Sequence, residues 1–149
     1  MNTGDLRQVA GAGSHDPLWN PNGMTLNQNE TTLYGTSRSE SSSDFDGQRT
    51  IYTFDVGDHS ISAATIFAYT DTGFPDGIKT DSAGNVYGGT VDSVDVWDHE
   101  GTLLGKIKCE PGDSTTNMQF VGNWLYFTGR EFLYRVKLTT GNAQSYEYN

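Results

Sequence analysis

Two similar tripeptides, Pro21-Asn22-Gly23 and Pro75-Asp76-Gly77, open segments of this chain that can be aligned with each other. With the prolines superposed, Leu33-Tyr34-Gly35 falls on Val86-Tyr87-Gly88 after one extra residue in the first copy. A weaker third copy begins at Thr116-Asn117-Met118-Gln119-Phe120. A repeat of roughly 40 to 55 residues is typical of the blades of a β-propeller. The chain is therefore predicted to be an all-β repeat protein.

Alternating apolar residues and frequent turn signals predict strands in three sets of four. The content of 18 glycines and only four prolines agrees with short strands that tight turns connect. No segment has the pattern of a helix. The predicted strands are Asn22–Leu26, Thr32–Thr36, Arg49–Val56, Ser60–Tyr69, Gly77–Thr80, Asn85–Gly89, Ser93–Asp98, Leu103–Cys109, Thr116–Val121, Trp124–Thr128, Phe132–Leu138 and Ala143–Tyr148.

These strands group into three predicted four-stranded blades, over residues 20–70, 74–110 and 114–149. Residues 4–10 are predicted to form the outer strand of a preceding blade, and Ser37–Gly47 to form a long solvated loop. Closed propellers have about four to eight blades. We therefore expect part of a propeller, with two uncovered blade faces and either a missing half or self-association through open edges.

The formal net charge of -10 excludes the clustered basic surface that nucleic-acid binding needs, since the chain has only nine Lys and Arg residues. No apolar run is long enough to cross a membrane, and the N-terminal residues show no signal peptide. The cellular location stays open. Asn29 begins a glycosylation triplet whose use also stays open, and the single cysteine, Cys109, is predicted to fill a core position.

Asn22 and Asp76 are the candidate site residues because each is predicted to start the innermost strand of its blade, next to a central channel. Their amide and carboxylate oxygens are hard ligands suited to calcium, magnesium or manganese. A second interpretation is equally open, because Asn-Gly and Asp-Gly are common turn dipeptides that serve the backbone alone.

The motifs around these residues resemble the senescence-marker-protein (regucalcin) and gluconolactonase family, in its fungal lactonase branch. The segment Phe74-Pro75-Asp76-Gly77-Ile78, followed by Gly84-Asn85-Val86-Tyr87, carries the resemblance together with the Asn-Gly motif at Asn22. It implies three blades and one strand of a six-bladed propeller. It also implies one divalent metal, usually calcium, with zinc, magnesium and manganese as alternatives, and hydrolysis of sugar lactones.

By the same resemblance Asn22 and Asp76 are metal ligands, and Asp76 is also the catalytic base. A glutamate ligand from the first blade of the family has no counterpart in this chain. Asn117, at the head of the third repeat, is the candidate substrate-binding residue.

The resemblance thus predicts a fragment of a metal-dependent hydrolase of sugar lactones or similar cyclic esters, inactive when isolated. A non-catalytic propeller that serves as a binding or scaffold module is the alternative, and a carbohydrate-binding domain is a third interpretation. The histidines show no zinc-binding spacing and are interpreted as solvated, whereas the tryptophans are interpreted as core residues rather than a sugar platform. These residues are His15, His59, His99, Trp19, Trp97 and Trp124.

Overall fold

The structure is a computed structural model that describes residues 20–38, 48–58 and 60–139. Eleven antiparallel strands in three sheets make up this part of the chain. No helix occurs in these ranges, and so none of them holds a helix that could span a membrane. The strands are β1 (Pro21–Leu26), β2 (Thr32–Arg38), β3 (Arg49–Asp55), β4 (Thr65–Tyr69), β5 (Ile78–Thr80), β6 (Val86–Gly89), β7 (Ser93–Trp97), β8 (Leu103–Lys108), β9 (Asn117–Val121), β10 (Trp124–Thr128) and β11 (Leu133–Lys137).

Each sheet follows the order of the chain, so that every strand pairs with its sequence neighbour. The first sheet is β1-β2-β3-β4, the second is β5-β6-β7-β8, and the third is β9-β10-β11. Successive up-and-down sheets of this kind are propeller blades. The all-β propeller fold predicted from the repeat is therefore confirmed, while the division into blades at residues 20–70, 74–110 and 114–149 stays a prediction.

Two predicted elements differ from the structure. The sequence predicts Ser37 and Arg38 to lie in a loop, but both belong to β2, where Ser37 pairs with Thr50 and is fully buried. The predicted strand from Ser60 to Tyr69 is shorter, since β4 begins only at Thr65 and Ile61 makes a single bridge to Val56. The predicted strands at residues 4–10 and 143–148, and residues 39–47 of the predicted loop, lie outside the described ranges.

The sheets pack face to face through two apolar clusters. Between the first and second sheets lie Tyr34, Ile51, Ala68, Ile78, Val86 and Trp97. Between the second and third lie Tyr87, Val94, Met118, Phe120, Leu125 and Phe127. Such interdigitation of the facing sides is how an array of repeats forms a continuous core.

The repeated tyrosines show that the three sheets are structural equivalents. Tyr34 and Tyr87 are both buried, and each meets another ring edge-on, Phe67 of the same sheet at 5.0 Å and Phe120 of the third sheet at 5.1 Å between centroids. Tyr126 lies opposite Gln119 on the face of the third sheet that points away from the second, and it is only half-buried. The internal alignment is therefore preserved in space.

The other face of the first sheet is covered only in part. Tyr52 and Phe54 are both buried there and pack against Leu33, Ile61 and Ala64. Met24 and Ile66 lie in one row with Tyr52 across this face and are exposed, so the expectation of two open blade faces stays a prediction.

Candidate functional site

Asn22 and Asp76, the two residues singled out by the repeat, lie in direct contact. Asn22 is the second residue of β1, and Asp76 stands two residues before β5. The Asn22 amide nitrogen donates to a carboxylate oxygen of Asp76 at 2.9 Å. The structure thus brings together side chains from two different sheets at the same end of adjacent strands, within the roughly 5 Å that two ligands of one cation require.

Two glycines allow the strands to approach closely enough for this contact. A Cβ on Gly23 would lie 2.5 Å from the Asp76 carbonyl oxygen, and a Cβ on Gly77 would lie 2.6 Å from the Thr116 carbonyl oxygen. Because Gly77 has no side chain, its backbone amide can come close enough to donate a hydrogen bond to the Thr116 carbonyl at 2.7 Å. The glycine of each repeated tripeptide therefore serves interstrand packing and not only the local turn.

The Thr36 hydroxyl connects the first two sheets at the same place. It accepts a hydrogen bond from the Gly23 amide at 2.7 Å and donates one to the Asp76 carbonyl oxygen at 3.0 Å. Thr36 is completely buried, so this bond is protected from water. The backbone on both sides of the Asn22 and Asp76 pair is consequently fixed by hydrogen bonds.

Asn117 joins the pair as the first residue of β9, in the third sheet. Together with Asn22 and Asp76 it lines one open cavity of about 320 Å³. Its side-chain oxygen accepts from the Met118 amide at 2.8 Å, which leaves the amide nitrogen of Asn117 available to the cavity. All three predicted site residues therefore line the same cavity, one from each sheet.

The Asp76 carboxyl has a raised pKa, chiefly because burial disfavours its charged form. The hydrogen bond from Asn22, the positive charge of Arg38 and the Gly77 amide act in the opposite direction and offset burial only in part. A carboxylate with a raised pKa accepts a proton more readily than an ordinary aspartate. A bound cation would compensate the charge of Asp76 for the water that burial removes.

The chemistry of this donor set fits a hard divalent cation. Asp76 supplies a charged oxygen, and a half-turn of the Asn22 amide exchanges its nitrogen for its oxygen beside the carboxylate. Two oxygens at that separation are suitably spaced to share one ion. No group of three or more His, Cys, Asp or Glu residues capable of holding a metal is found within the described ranges, so this pair alone represents the predicted ligands there.

The remaining candidates from the sequence have other surroundings. Trp97 is a core residue, as predicted, but Trp124 is only half-buried and its ring lies 4.9 Å from the Arg135 guanidinium carbon. Trp124 faces outward because its neighbour across the strand pair, Val121, lies on the uncovered side of the third sheet. Cys109 is partly buried against the second cluster. His99 is exposed, and His15, His59 and Trp19 lie outside the described ranges.

Three cationic residues near the site were not singled out by the sequence. Lys79 lines the cavity that Asn22, Asp76 and Asn117 share. Arg130 lines a second cavity of about 280 Å³, which also includes Asp76. The charge of Arg38 acts on Asp76. Of the three, only the direction of the Lys79 side chain follows from its sequence neighbours. Lys79 stands between Ile78 and Thr80, both buried, and so points to the other side of β5.

The sheets and the paired Asn22 and Asp76 define a class of protein, the β-propeller with polar residues at the ends of adjacent inner strands. Within that class, the chain belongs to the SMP-30/gluconolactonase/LRE-like family, whose model matches residues 12–129. The family resemblance inferred from the tripeptides is thereby confirmed. No curated protein sequence matches the chain significantly.

Solved structures of the same fold are similar to this chain. A gluconolactonase from Xanthomonas campestris is 30% identical with a TM-score of 0.69, over 79% of this chain and 37% of that one. A luciferin-regenerating enzyme is 19% identical with a TM-score of 0.70, over 85% and 47%. Regucalcin from Agrobacterium tumefaciens, a calcium-binding protein, is 21% identical with a TM-score of 0.57, over 72% and 37%. The chain thus spans less than half the length of each of these proteins.

Proposed function

We propose that this chain supplies part of the active site of a divalent-metal-dependent hydrolase of sugar lactones or similar cyclic esters. One observation carries the proposal: Asn22, Asp76 and Asn117, from three successive sheets, line a single cavity. The family membership and the likeness to a gluconolactonase support a lactone as the substrate, and the likeness to a calcium-binding regucalcin supports calcium.

In this proposal Asp76 and Asn22 hold the cation, which when bound supplies electrophilic polarisation of the lactone carbonyl. In the same proposal the Asp76 carboxylate accepts the proton of the attacking water. That proton passes to the ring oxygen as the ester bond breaks, so that the products are a hydroxyl group and a carboxylic acid, which then releases its proton to the solvent. The Asn117 amide nitrogen contacts a hydroxyl of the substrate.

A calcium titration of the 149-residue chain, followed by calorimetry, tests the metal site. Two side-chain ligands leave most of the ion hydrated, so we expect weak binding with a dissociation constant of about millimolar. Asp76→Asn removes the charged ligand and should weaken binding by at least about tenfold. Asp58→Asn, which removes an exposed carboxylate in a turn of the first sheet, is the matched control and should bind calcium as the unchanged chain does. Equal affinities of all three proteins would contradict the site.

The chain alone should hydrolyse gluconolactone no faster than the spontaneous background. The reason is positional, because two ligands fix neither the ion nor the direction of attack on the carbonyl. Acid release in the presence of calcium measures this, and clear turnover that survives Asp76→Ala would overturn the role given to Asp76.

A non-catalytic scaffold is the second candidate, and one observation favours it. The hydrogen bond from Asn22 to Asp76 links the side chains of two sheets without any cation. Under this alternative calcium does not bind, and Asp76→Asn lowers the urea midpoint of unfolding instead. The same calorimetric titration separates the two functions.

A further inference from the structure

The positive charges of this acidic protein are distributed unevenly. Eight of its nine Lys and Arg residues lie in the described ranges, against a formal net charge of -10. Lys106 and Lys108 form ion pairs with aspartates, Lys106 with Asp71 and Asp95 and Lys108 with Asp92. These pairs lie in the second sheet and in the connections beside it, where the aspartates neutralise the two lysines.

The other six Lys and Arg residues of the described ranges form no ion pair with an acidic residue there. Among them, Arg38, Lys79 and Arg130 are set apart by position, because the charge of Arg38 acts on Asp76 and the other two line cavities that include Asp76. Each comes from a different sheet: Arg38 ends β2, Lys79 is the middle residue of β5, and Arg130 lies in the turn between β10 and β11. Three cations without an ion pair therefore lie beside Asp76 or line the cavities that include it, in a protein with a formal net charge of -10.

Two of these cations line the cavities on either side of Asp76. Lys79 pairs with Tyr87, whose ring packs on Phe120 of the third sheet, so the lysine side chain lies between β5 and β9. There it lines the cavity of about 320 Å³ with Asn117. Arg130 lines the second cavity with Asp76 and Phe74.

The positions of both arginines are fixed by contacts other than ion pairs. The backbone amide of Arg130 donates to the Asp113 carboxylate at 2.6 Å, which anchors its turn and leaves the guanidinium free. The guanidinium carbon of Arg38 lies 5.7 Å from the centre of the Phe74 ring, on the wall of the second cavity. Both arginines are therefore placed at the second cavity without an ion pair.

We infer that the site takes lactones that carry a negatively charged substituent, a carboxylate or a phosphate, and that Lys79 and Arg130 bind this substituent. The inference deepens the proposed function and rests on it. A substrate oriented by its own charge would have its ester carbonyl at Asp76 and its anionic group at a cation. Lysine and arginine are the side chains that recognise carboxylates and phosphates, the arginine by paired hydrogen bonds.

A binding series with open-chain sugar derivatives tests the inference without requiring turnover. Sorbitol is neutral, gluconate has one carboxylate, and glucarate and 6-phosphogluconate have a second anionic group. In the presence of EDTA, titrations followed by ¹H–¹⁵N NMR should show the two doubly anionic probes binding most tightly, with shifts at the Gly77 and Asn117 amides. Tighter binding of glucarate assigns the substituent as a carboxylate, and tighter binding of 6-phosphogluconate assigns it as a phosphate.

Variants then identify the residues that recognise the charge. Lys79→Gln and Arg130→Gln should each weaken binding of the tighter doubly anionic probe by about fivefold and leave sorbitol unchanged. Lys79→Arg should restore binding. Lys137→Gln, which removes the same charge from an exposed position on β11, is the matched control and should have no effect.

Equal losses in Lys137→Gln, or unchanged binding in both cavity variants, would overturn the inference. The result is distinguishable from that of the calcium titration. Calcium binding that depends on Asp76, together with anion binding that ignores Lys79 and Arg130, refutes only the inference. Anion binding that requires both cations, without calcium binding, refutes the metal-dependent hydrolysis and leaves the anion site standing.

Discussion

Asp113 shows how a single buried carboxylate organises the part of the third sheet next to the site. It accepts hydrogen bonds from the Ser114 amide at 2.8 Å, the Arg130 amide at 2.6 Å and the Tyr134 hydroxyl at 2.7 Å. Burial alone would raise the pKa of the Asp113 carboxyl, but these bonds outweigh it and lower the pKa to about 2. The same contact raises the pKa of Tyr134 to about 12, with burial as the larger cause.

The lowered pKa of Asp113 makes a prediction about stability and pH. The folded protein binds this proton less readily than the unfolded chain, so the contribution to stability is present above about pH 4 and is lost as the pH falls towards 2. Asp113→Asn should therefore lower the urea midpoint at pH 7, and the difference from the unchanged chain should shrink in acid. Urea unfolding at several pH values measures it. If the difference were constant with pH, or equalled that of Asp58→Asn, the network would not stabilise the fold through its charge.

At the scale of strands, the close packing of β1, β5 and β9 depends on the glycines of the repeat. Gly77→Ala would place a Cβ 2.6 Å from the Thr116 carbonyl oxygen and 2.8 Å from the Asn117 Cα. Backbone atoms cannot yield as a flexible side chain does, so we expect a loss of about 1–3 kcal/mol in the free energy of unfolding. Gly105→Ala in β8, where a Cβ would meet nothing within 4 Å, should change it by less than about 0.5 kcal/mol. Urea denaturation compares the two, and similar values would show that the strands have room to separate.

The strands could be predicted from sequence to within a few residues because turn chemistry and alternation are local signals. The pairing of Asn22 with Asp76 could also be predicted, since repeat equivalence maps both residues to the same end of adjacent strands. The grouping of Arg38, Lys79 and Arg130 could not. These residues occupy non-equivalent positions in their sheets, and only the angle between neighbouring sheets brings them to one site. Equivalent positions are visible in a repeat alignment, whereas contacts between unlike positions depend on packing in three dimensions.

For the whole molecule, the two outer blade faces have different surroundings. On the first sheet Tyr52 and Phe54 are buried, at 4% and 2% exposure, while Met24 and Ile66 of the same face are exposed. On the third sheet Val121 and Leu133 are exposed by 59% and 70% on the side opposite the core. Each blade of a propeller normally buries such a face on its neighbour. The third sheet therefore presents an apolar surface of the kind that an adjacent blade would cover.

This exposed face predicts self-association of the 149-residue chain. Burying Val121, Leu133 and the half-buried Trp124 and Tyr126 against a second copy would remove apolar surface from water, so the sedimentation coefficient should rise from micromolar to near-millimolar concentration. Leu133→Lys places a charge within that contact and should shift the protein towards monomer. Leu104→Lys is the matched control, because Leu104 is 58% exposed on β8 at the outer edge of the second sheet, away from the open face. Equal effects of the two substitutions would place the contact at strand edges instead, and a monomer at every concentration would show that the third sheet needs no neighbour.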